Sequence, residues 1–114
     1  MSLFSRLRRW VSGWPRGKSL SRRALDEALK VHLPDLPDGP ILDVGGGNQP
    51  YRHLIRSAIY LVLDVNPQCR PTLVADAHRI PCADAALAGL ISTETLEHCY
   101  DPFAVVAEMY RVLR

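Results

Sequence analysis

One segment constrains this chain more than any other: Ile41-Leu42-Asp43-Val44-Gly45-Gly46-Gly47-Asn48. An apolar run short enough for a buried strand meets a glycine-rich turn, and a single carboxylate sits two residues before the turn. Glycine carries no Cβ, so it accepts φ > 0 and lets a ligand approach the main chain. A carboxylate there repels a phosphate and suits a ligand bearing an amine or hydroxyls. A turn with no ligand would use the same glycines, so the motif needs partners elsewhere in the chain.

The 114 residues suffice for one small domain, and 47% hydrophobic with 23% charged residues describes a globular chain rather than a disordered one. No stretch approaches the roughly 20 apolar residues that span a bilayer. Cys69, Cys82 and Cys99 are odd in number and lack CxxC spacing, so neither a disulfide framework nor a zinc ribbon is suggested. Reduced thiols and a cytoplasmic location are the simplest expectation. The net charge of +2 conceals an asymmetry: seven of the 14 Lys/Arg lie in residues 1–25 with no acid among them, and all 12 acidic residues follow.

Within that basic stretch Leu3, Phe4, Leu7, Trp10, Val11 and Trp14 recur at helical spacing between arginines. Three readings stand: a helix packing its aromatic stripe on the domain, a helix lying on an anionic membrane, or an organelle transit peptide. Packing is preferred, with weak peripheral membrane contact at most. A second helix, 21–32, is capped by Ser19 or Ser21 and runs Leu25, Leu29 and Leu33 along one side. Residues 1–34 thus form a basic amphipathic helical segment, and 35–114 the domain that follows.

After a Pro/Gly loop come four apolar runs without polar alternation: Ile41–Val44, Tyr60–Asp64, Thr72–Asp76 and Ala88–Ser92. They read as strands buried on both faces, with a short helix expected in Tyr51–Ala58. Asp101-Pro102 opens a last helix whose expected apolar face is Phe103, Val106, Met109, Tyr110 and Leu113. The pattern is β-α-β-β-β-α, an α/β chain with a parallel sheet. Only seven residues separate Asp64 from Thr72, and Pro67 and Pro71 are among them. A parallel crossover usually needs about a dozen or more residues. An extended loop is therefore expected in place of the crossover helix, and the N-terminal helices are candidates to cover the face left bare.

Asp64 ends the second run, 21 residues after Asp43, where an acidic residue accepts from ribose hydroxyls. Asp76 ends the third, beside the free N–H of Ala77, a pair that suits an adenine amine and a ring nitrogen. Each carboxylate alone could be a strand-end solvent contact or a cap. Together they line the strand edge where open α/β sheets bind ligands, and they describe an amine, a ribose and an adenine without phosphate. An NAD-binding oxidoreductase fits less well, because Pro50 replaces the third fingerprint glycine.

At this point Leu42–Tyr51 resembles motif I of class I S-adenosylmethionine-dependent methyltransferases. Leu61-Val62-Leu63-Asp64-Val65 resembles their second motif and Ala75-Asp76-Ala77-His78-Arg79-Ile80-Pro81 their third. Ile91–His98, Asp101-Pro102 and Tyr110–Arg114 resemble the region after strand four. The similarity is to the type 11 group and covers residues 41–114. It implies an incomplete Rossmann-like fold of about four parallel strands in order 3-2-1-4 with flanking helices. It also implies S-adenosyl-L-methionine as cofactor, methyl transfer to an unidentified acceptor, and no particular catalytic residue. By position it assigns Gly45 and Gly47 to the methionine moiety, Asp43 to its ammonium side and Asp64 to the ribose. Asp76 with Ala77 is assigned to the adenine, Val65 to the adenine ring, and Ser92 to the pocket lining.

The departures are Gly46 where Cys or Ser is frequent, a mild change, Leu87-Ala88 where Phe-Asp is usual, and Cys82 where Phe is common. The last predicts looser packing around Cys82. Glu94, Glu97 and His98 would share a face if helical, but they are read as a pocket-rim cluster, and no metal is expected. The chain stops at Arg114, where the family continues into a Pro-Gly loop and strand five. That ending suggests a truncated or partner-dependent module with strand four as an apolar edge open to a partner chain or dimer. No nucleic-acid motif accompanies the basic residues.

Overall fold

The computed structural model describes residues 19–114. The helix expected over 3–14 lies outside them. Two α-helices, α1 (Leu20–His32) and α2 (Pro102–Val112), flank four strands: β1 (Ile41–Val44), β2 (Tyr60–Asp64), β3 (Leu73–Val74) and β4 (Gly89–Ser92). The strands pair in parallel in the order β3-β2-β1-β4, as the resemblance implies.

β1 is the centre of the sheet, and all four of its residues are buried. In-register pairing puts Ile41 between Tyr60 and Gly89, and Val44 between Leu63 and Ser92. Strand alternation then divides the core in two. Leu42, Val44 and Leu63 pack with Val105 and Val112 of α2 on one face. Ile41 and Ile91 pack with Leu33, Tyr51 and Ile55 on the other, joined by Leu29 of α1 and by Leu36. The N-terminal helix therefore covers part of the face that the short β2–β3 link leaves bare. That link holds only a 3-10 turn at Pro67–Cys69, closed by Arg70 in the left-handed region.

Ser19 caps α1 by accepting from the Arg22 N–H, and Asp101 caps α2 by accepting from the Ala104 N–H with Pro102 at the first turn. Three expectations need correction. The segment 51–58 forms only a 3-10 turn at Arg52–Leu54, and the chain is extended from Ile55. Ser57 there accepts from the Ile59 N–H, a local bond that competes with helix, and donates to the distant Gly39 carbonyl. The third strand shrinks to Leu73–Val74: at its start the Thr72 hydroxyl accepts the Val62 N–H, and beyond its end Asp76 turns the chain by accepting from the His78 N–H.

The third correction concerns α2. Its buried stripe is Val105 and Val112, with Met109 packed beside them, whereas Phe103 is 87% exposed and Tyr110 83%. Two apolar stripes compete for the sheet, and a polar clamp selects one. Arg111 donates to both Glu108 oxygens and to the carbonyls of Ile80 and Cys82, and it pairs with Asp84 at 2.8 Å. Glu108 accepts from the Ile80 N–H at 2.8 Å. Turning the helix to bury Phe103 and Tyr110 would break the bonds to Ile80, Cys82 and Asp84. The clamp also holds Cys82, which packs partly buried against the core in place of the usual aromatic.

Arg111, followed by the Ile80 N–H, holds the Glu108 carboxyl down at about 2, below its ordinary 4.5. The unfolded chain therefore takes up this proton first as pH falls. The clamp's contribution should be complete above about pH 4.5 and fade toward pH 2. In thermal melts, Glu108→Gln should lie below the parent at neutral pH and meet it near pH 2. A constant gap across that window would assign the loss to packing instead.

At the β4 edge, Leu113 forms a parallel bridge with Leu87, and the Arg114 N–H donates to the Leu87 carbonyl. The bridge lies just before Gly89–Ser92.

Candidate functional site

The turn after β1 is held by one bond to β2 and one within the turn: the Gly45 N–H donates to Leu63 O at 2.7 Å and the Gln49 N–H to Gly46 O at 2.8 Å. Gly45 and Gly47 have φ of 72° and 43°, in the left-handed region. A Cβ on Gly45 would stand 2.4 Å from Thr95 Oγ1, and one on Gly46 would stand 2.7 Å from Asp43 Cγ. Gly46 is therefore not a mild departure, since the turn lies directly on the β1 carboxylate. Thr95 comes from the loop after β4, and its hydroxyl lies 3.1 Å from both the Val44 and Thr93 carbonyls.

The three strand-end carboxylates are each held differently. Asp43 is 2% exposed and accepts the Tyr60 hydroxyl. Burial pushes its carboxyl up, the Tyr60 hydrogen bond opposes that, and the charge of Asp64 adds to it. Burial and the adjoining Asp43 push the Tyr60 phenol up in turn.

Asp64 accepts from the Gly47 N–H at 3.1 Å and the Asn66 N–H at 2.9 Å, tying the turn after β1 to the turn after β2. Asp76 Oδ1 accepts from the His78 N–H at 2.9 Å and meets the His78 ring at Nδ1. These bonds, the backbone one first, hold the Asp76 carboxyl below the ordinary range. His78 Nε2 accepts from the Asp101 N–H at 3.1 Å, which assigns the ring proton to Nδ1. The ring stacks on Tyr100 at 3.7 Å and 7°. One imidazole thus straps the loop after β3 to the start of α2.

Two clefts open along this edge and share Gly45. The first, about 220 Å³, is mostly apolar and runs past Asp64, Val65, Asp76 and Ala77, with Thr95, His98, Cys99 and Tyr100 opposite. The second, about 300 Å³, is mostly polar and lies among Asp43, Gly45, Gly47 and Asn48, with Arg22, Thr93 and Glu94 opposite. Seven of the eight residues read from sequence line one cleft or the other. Ser92 lines neither: it pairs with Val44 on β4, and its buried hydroxyl has no hydrogen-bond partner among the described residues. Thr93 and Thr95, one and three residues on, line the clefts instead.

Arg22, His78, Thr95 and Tyr100 line the clefts without having been selected from sequence, and neither was Tyr60, which holds Asp43. Thr95 was accessible to the rule that α/β ligands sit at carboxyl strand ends. Arg22 had no such signal, since it precedes the glycine turn by a whole helix.

Glu94 has φ of 53° and lies outside the 3-10 turn Leu96–His98, so Glu94, Glu97 and His98 share no helix face. Among the described residues no group of three His, Cys, Asp or Glu side chains is arranged to hold a metal ion.

A parallel sheet ordered 3-2-1-4, with a glycine turn on its central strand and an acid at the end of each of three strands, defines a Rossmann-like class I methyltransferase architecture. The chain belongs to the type 11 methyltransferase-domain family, whose model, described as "Methyltransferase domain", matches residues 42–114.

Similar solved structures include a Methanococcus maripaludis protein assigned as an S-adenosyl-L-methionine-dependent methyltransferase. It is 17% identical with a TM-score of 0.63, over 79% of this chain and 49% of that one. A chain of the Haloferax volcanii complex between the Trm112 methyltransferase activator and its assigned methyltransferase is 19% identical, TM-score 0.67, over 78% and 46%. An Anabaena variabilis protein assigned as a methyltransferase from an antibiotic biosynthesis pathway is 20% identical, TM-score 0.57, over 81% and 41%. The chain thus spans about half or less of these relatives, and at such identities they establish the fold alone. No curated protein matches the chain.

Proposed function

We propose that this chain is the S-adenosyl-L-methionine-binding part of an enzyme that transfers a methyl group to an acceptor. The observation that carries the reading is the pair of clefts meeting at Gly45, one apolar and one polar, with the three strand-end carboxylates along them. Val65 supplies a test of fit. It is 67% exposed on the wall of the apolar cleft, an unfavourable place for a valine unless a flat apolar ring covers it. Asp76 adds a second: both its hydrogen bonds use Oδ1, and Oδ2 has none among the described residues, which suits an exocyclic amine.

In this reading Asp64 receives the ribose hydroxyls, and Val65, Asp76 and Ala77 the adenine. The Gly45–Gly47 backbone and Asp43 receive the methionine moiety. When bound, the cofactor supplies an electrophilic methyl on sulfonium for SN2-like transfer. The residues of the chain contribute binding, orientation and exclusion of water.

Partner dependence is a second reading, that of a module completed by another chain. The β4 edge beyond the Leu87–Leu113 bridge supports it, and the Haloferax relative was solved with an activator. Among the described residues no helix is long and apolar enough to cross a membrane.

Calorimetry on the full chain should show one-to-one binding of S-adenosyl-L-methionine and of S-adenosylhomocysteine, and none of NAD. Binding of NAD in their place would overturn the reading. Methyl transfer to a cell extract only after a co-purifying chain is added would favour the partner-dependent form.

A further inference from the structure

We infer that Arg22, on helix α1 and outside the family-matched residues 42–114, is the receptor for the ligand's α-carboxylate. The inference rests on the cofactor reading and assigns a residue that reading leaves out. The polar cleft has carboxyl groups on its walls, Asp43 and Glu94. Among the described residues lining it, Arg22 is the one cation. An amino-acid moiety brings both an ammonium and a carboxylate. The acids answer the first, and among the lining residues Arg22 is the one positive charge to answer the second.

Arg22 is already built to hold a carboxylate. Its Nη1 donates to Glu94 Oε2 at 2.7 Å, so one of the protein's own carboxylates stands where the ligand's would. The guanidinium lies 5.5 Å from the centre of the Tyr51 ring, and Nε lies 3.7 Å from Asp26 Oδ1. Tyr51 is 3% exposed and its hydroxyl donates to the same Asp26 oxygen at 3.0 Å. The fork is therefore oriented by a fixed aromatic face and a second acid before any ligand arrives. A planar guanidinium offers two parallel N–H groups to a carboxylate, which a lysine does not. Glu94 is held with φ of 53°, a costly conformation for a non-glycine residue, at the point where it meets Arg22.

The test is calorimetry on the full chain with three probes: S-adenosyl-L-methionine, S-adenosylhomocysteine and 5′-methylthioadenosine, which keeps the adenosine and lacks the amino acid. Arg22→Ala should weaken the first two by about tenfold or more, the loss of one charge-assisted hydrogen bond, and leave the third within about twofold. Arg22→Lys should fall between. Arg22→Gln keeps much of the stem over Tyr51 and serves if the alanine variant does not fold. Equal losses for all three probes would make Arg22 a structural residue, and unchanged binding of the first two would also overturn the assignment. A parent chain that binds methylthioadenosine as tightly as S-adenosylhomocysteine would refute the carboxylate contact while leaving the adenosine reading intact. A parent chain that binds none of the three would overturn both.

Discussion

Asp64→Ala should remove measurable affinity for S-adenosyl-L-methionine, a loss of about a hundredfold or more, while the chain stays folded. The magnitude follows from two lost hydrogen bonds from ribose hydroxyls to a charged acceptor, each worth roughly 1.5–3 kcal/mol. The fold should survive because Asp64 is a partly exposed strand end outside both core clusters. Asp64 has a second task, however. It accepts from the Gly47 and Asn66 N–H groups, so it also holds the glycine turn against β2. The alanine variant should therefore lose a modest amount of stability, about 1 kcal/mol for neutral N–H groups that can turn to water. Asp64→Asn separates the two tasks. The Gly47 N–H uses Oδ2 and the Asn66 N–H uses Oδ1, so the single amide oxygen keeps one of the two bonds, and stability should return in part while affinity stays low. Urea unfolding and calorimetry on the same samples read both quantities. A folded Asp64→Ala chain with undiminished binding would exclude Asp64 from the ligand.

What was legible in the sequence divides along physical lines. β1, β2 and β4 were read because short, largely apolar runs without polar alternation, set off by turn residues, admit few alternatives. The caps Ser19 and Asp101 were readable because a side-chain oxygen before an apolar helix is a local signal. At the start of β3, which was overextended at both ends, a single hydroxyl, that of Thr72, takes the place of the ladder. No local pattern reveals that exchange.

The rotation of α2 failed for a related reason. Phe103, Val106 and Tyr110 outweigh Val105 and Val112 in hydrophobic size, and the choice was made by Glu108 and Arg111 reaching the 80–84 loop. In the candidate site, the strand-end carboxylates were visible from spacing. The residues that orient them were not: Tyr60 reaches Asp43 from the neighbouring strand, and His78 meets Asp76 through the turn of the loop after β3 while its other nitrogen accepts from Asp101. Arg22 and Glu94 are 72 residues apart, beyond any motif window.

Gly45→Ala and Gly47→Ala should differ sharply, although both glycines sit in one turn and both have positive φ. At Gly47 the added methyl would find its nearest neighbour, Asp64 Oδ2, at 3.7 Å, an ordinary contact. Its cost is the left-handed conformation alone, about 1–2 kcal/mol. At Gly45 the same cost applies at φ of 72°, and the methyl also lands 2.4 Å from Thr95 Oγ1. Thr95 cannot yield cheaply, because its hydroxyl is held by the Val44 and Thr93 carbonyls. Relief requires either giving up that hydroxyl's bonds or moving the turn off the end of β1. The expected loss at Gly45 is thus roughly 3 kcal/mol or more, the strain plus an overpacking term of about 1–3 kcal/mol. Urea unfolding should place Gly47→Ala about 1–2 kcal/mol below the parent and Gly45→Ala further below it. A compensating Thr95→Ser in the Gly45→Ala background should recover little, since Ser keeps the clashing oxygen. Thr95→Gly, which removes it, should recover more. The contrast bears on function as well. Because Gly45 lines both clefts, a chain that relieves the clash by shifting the turn would lose ligand binding along with stability. Equal effects at the two positions would mean that the turn tolerates a methyl against Thr95, and that the loop after β4 is not what fixes its shape.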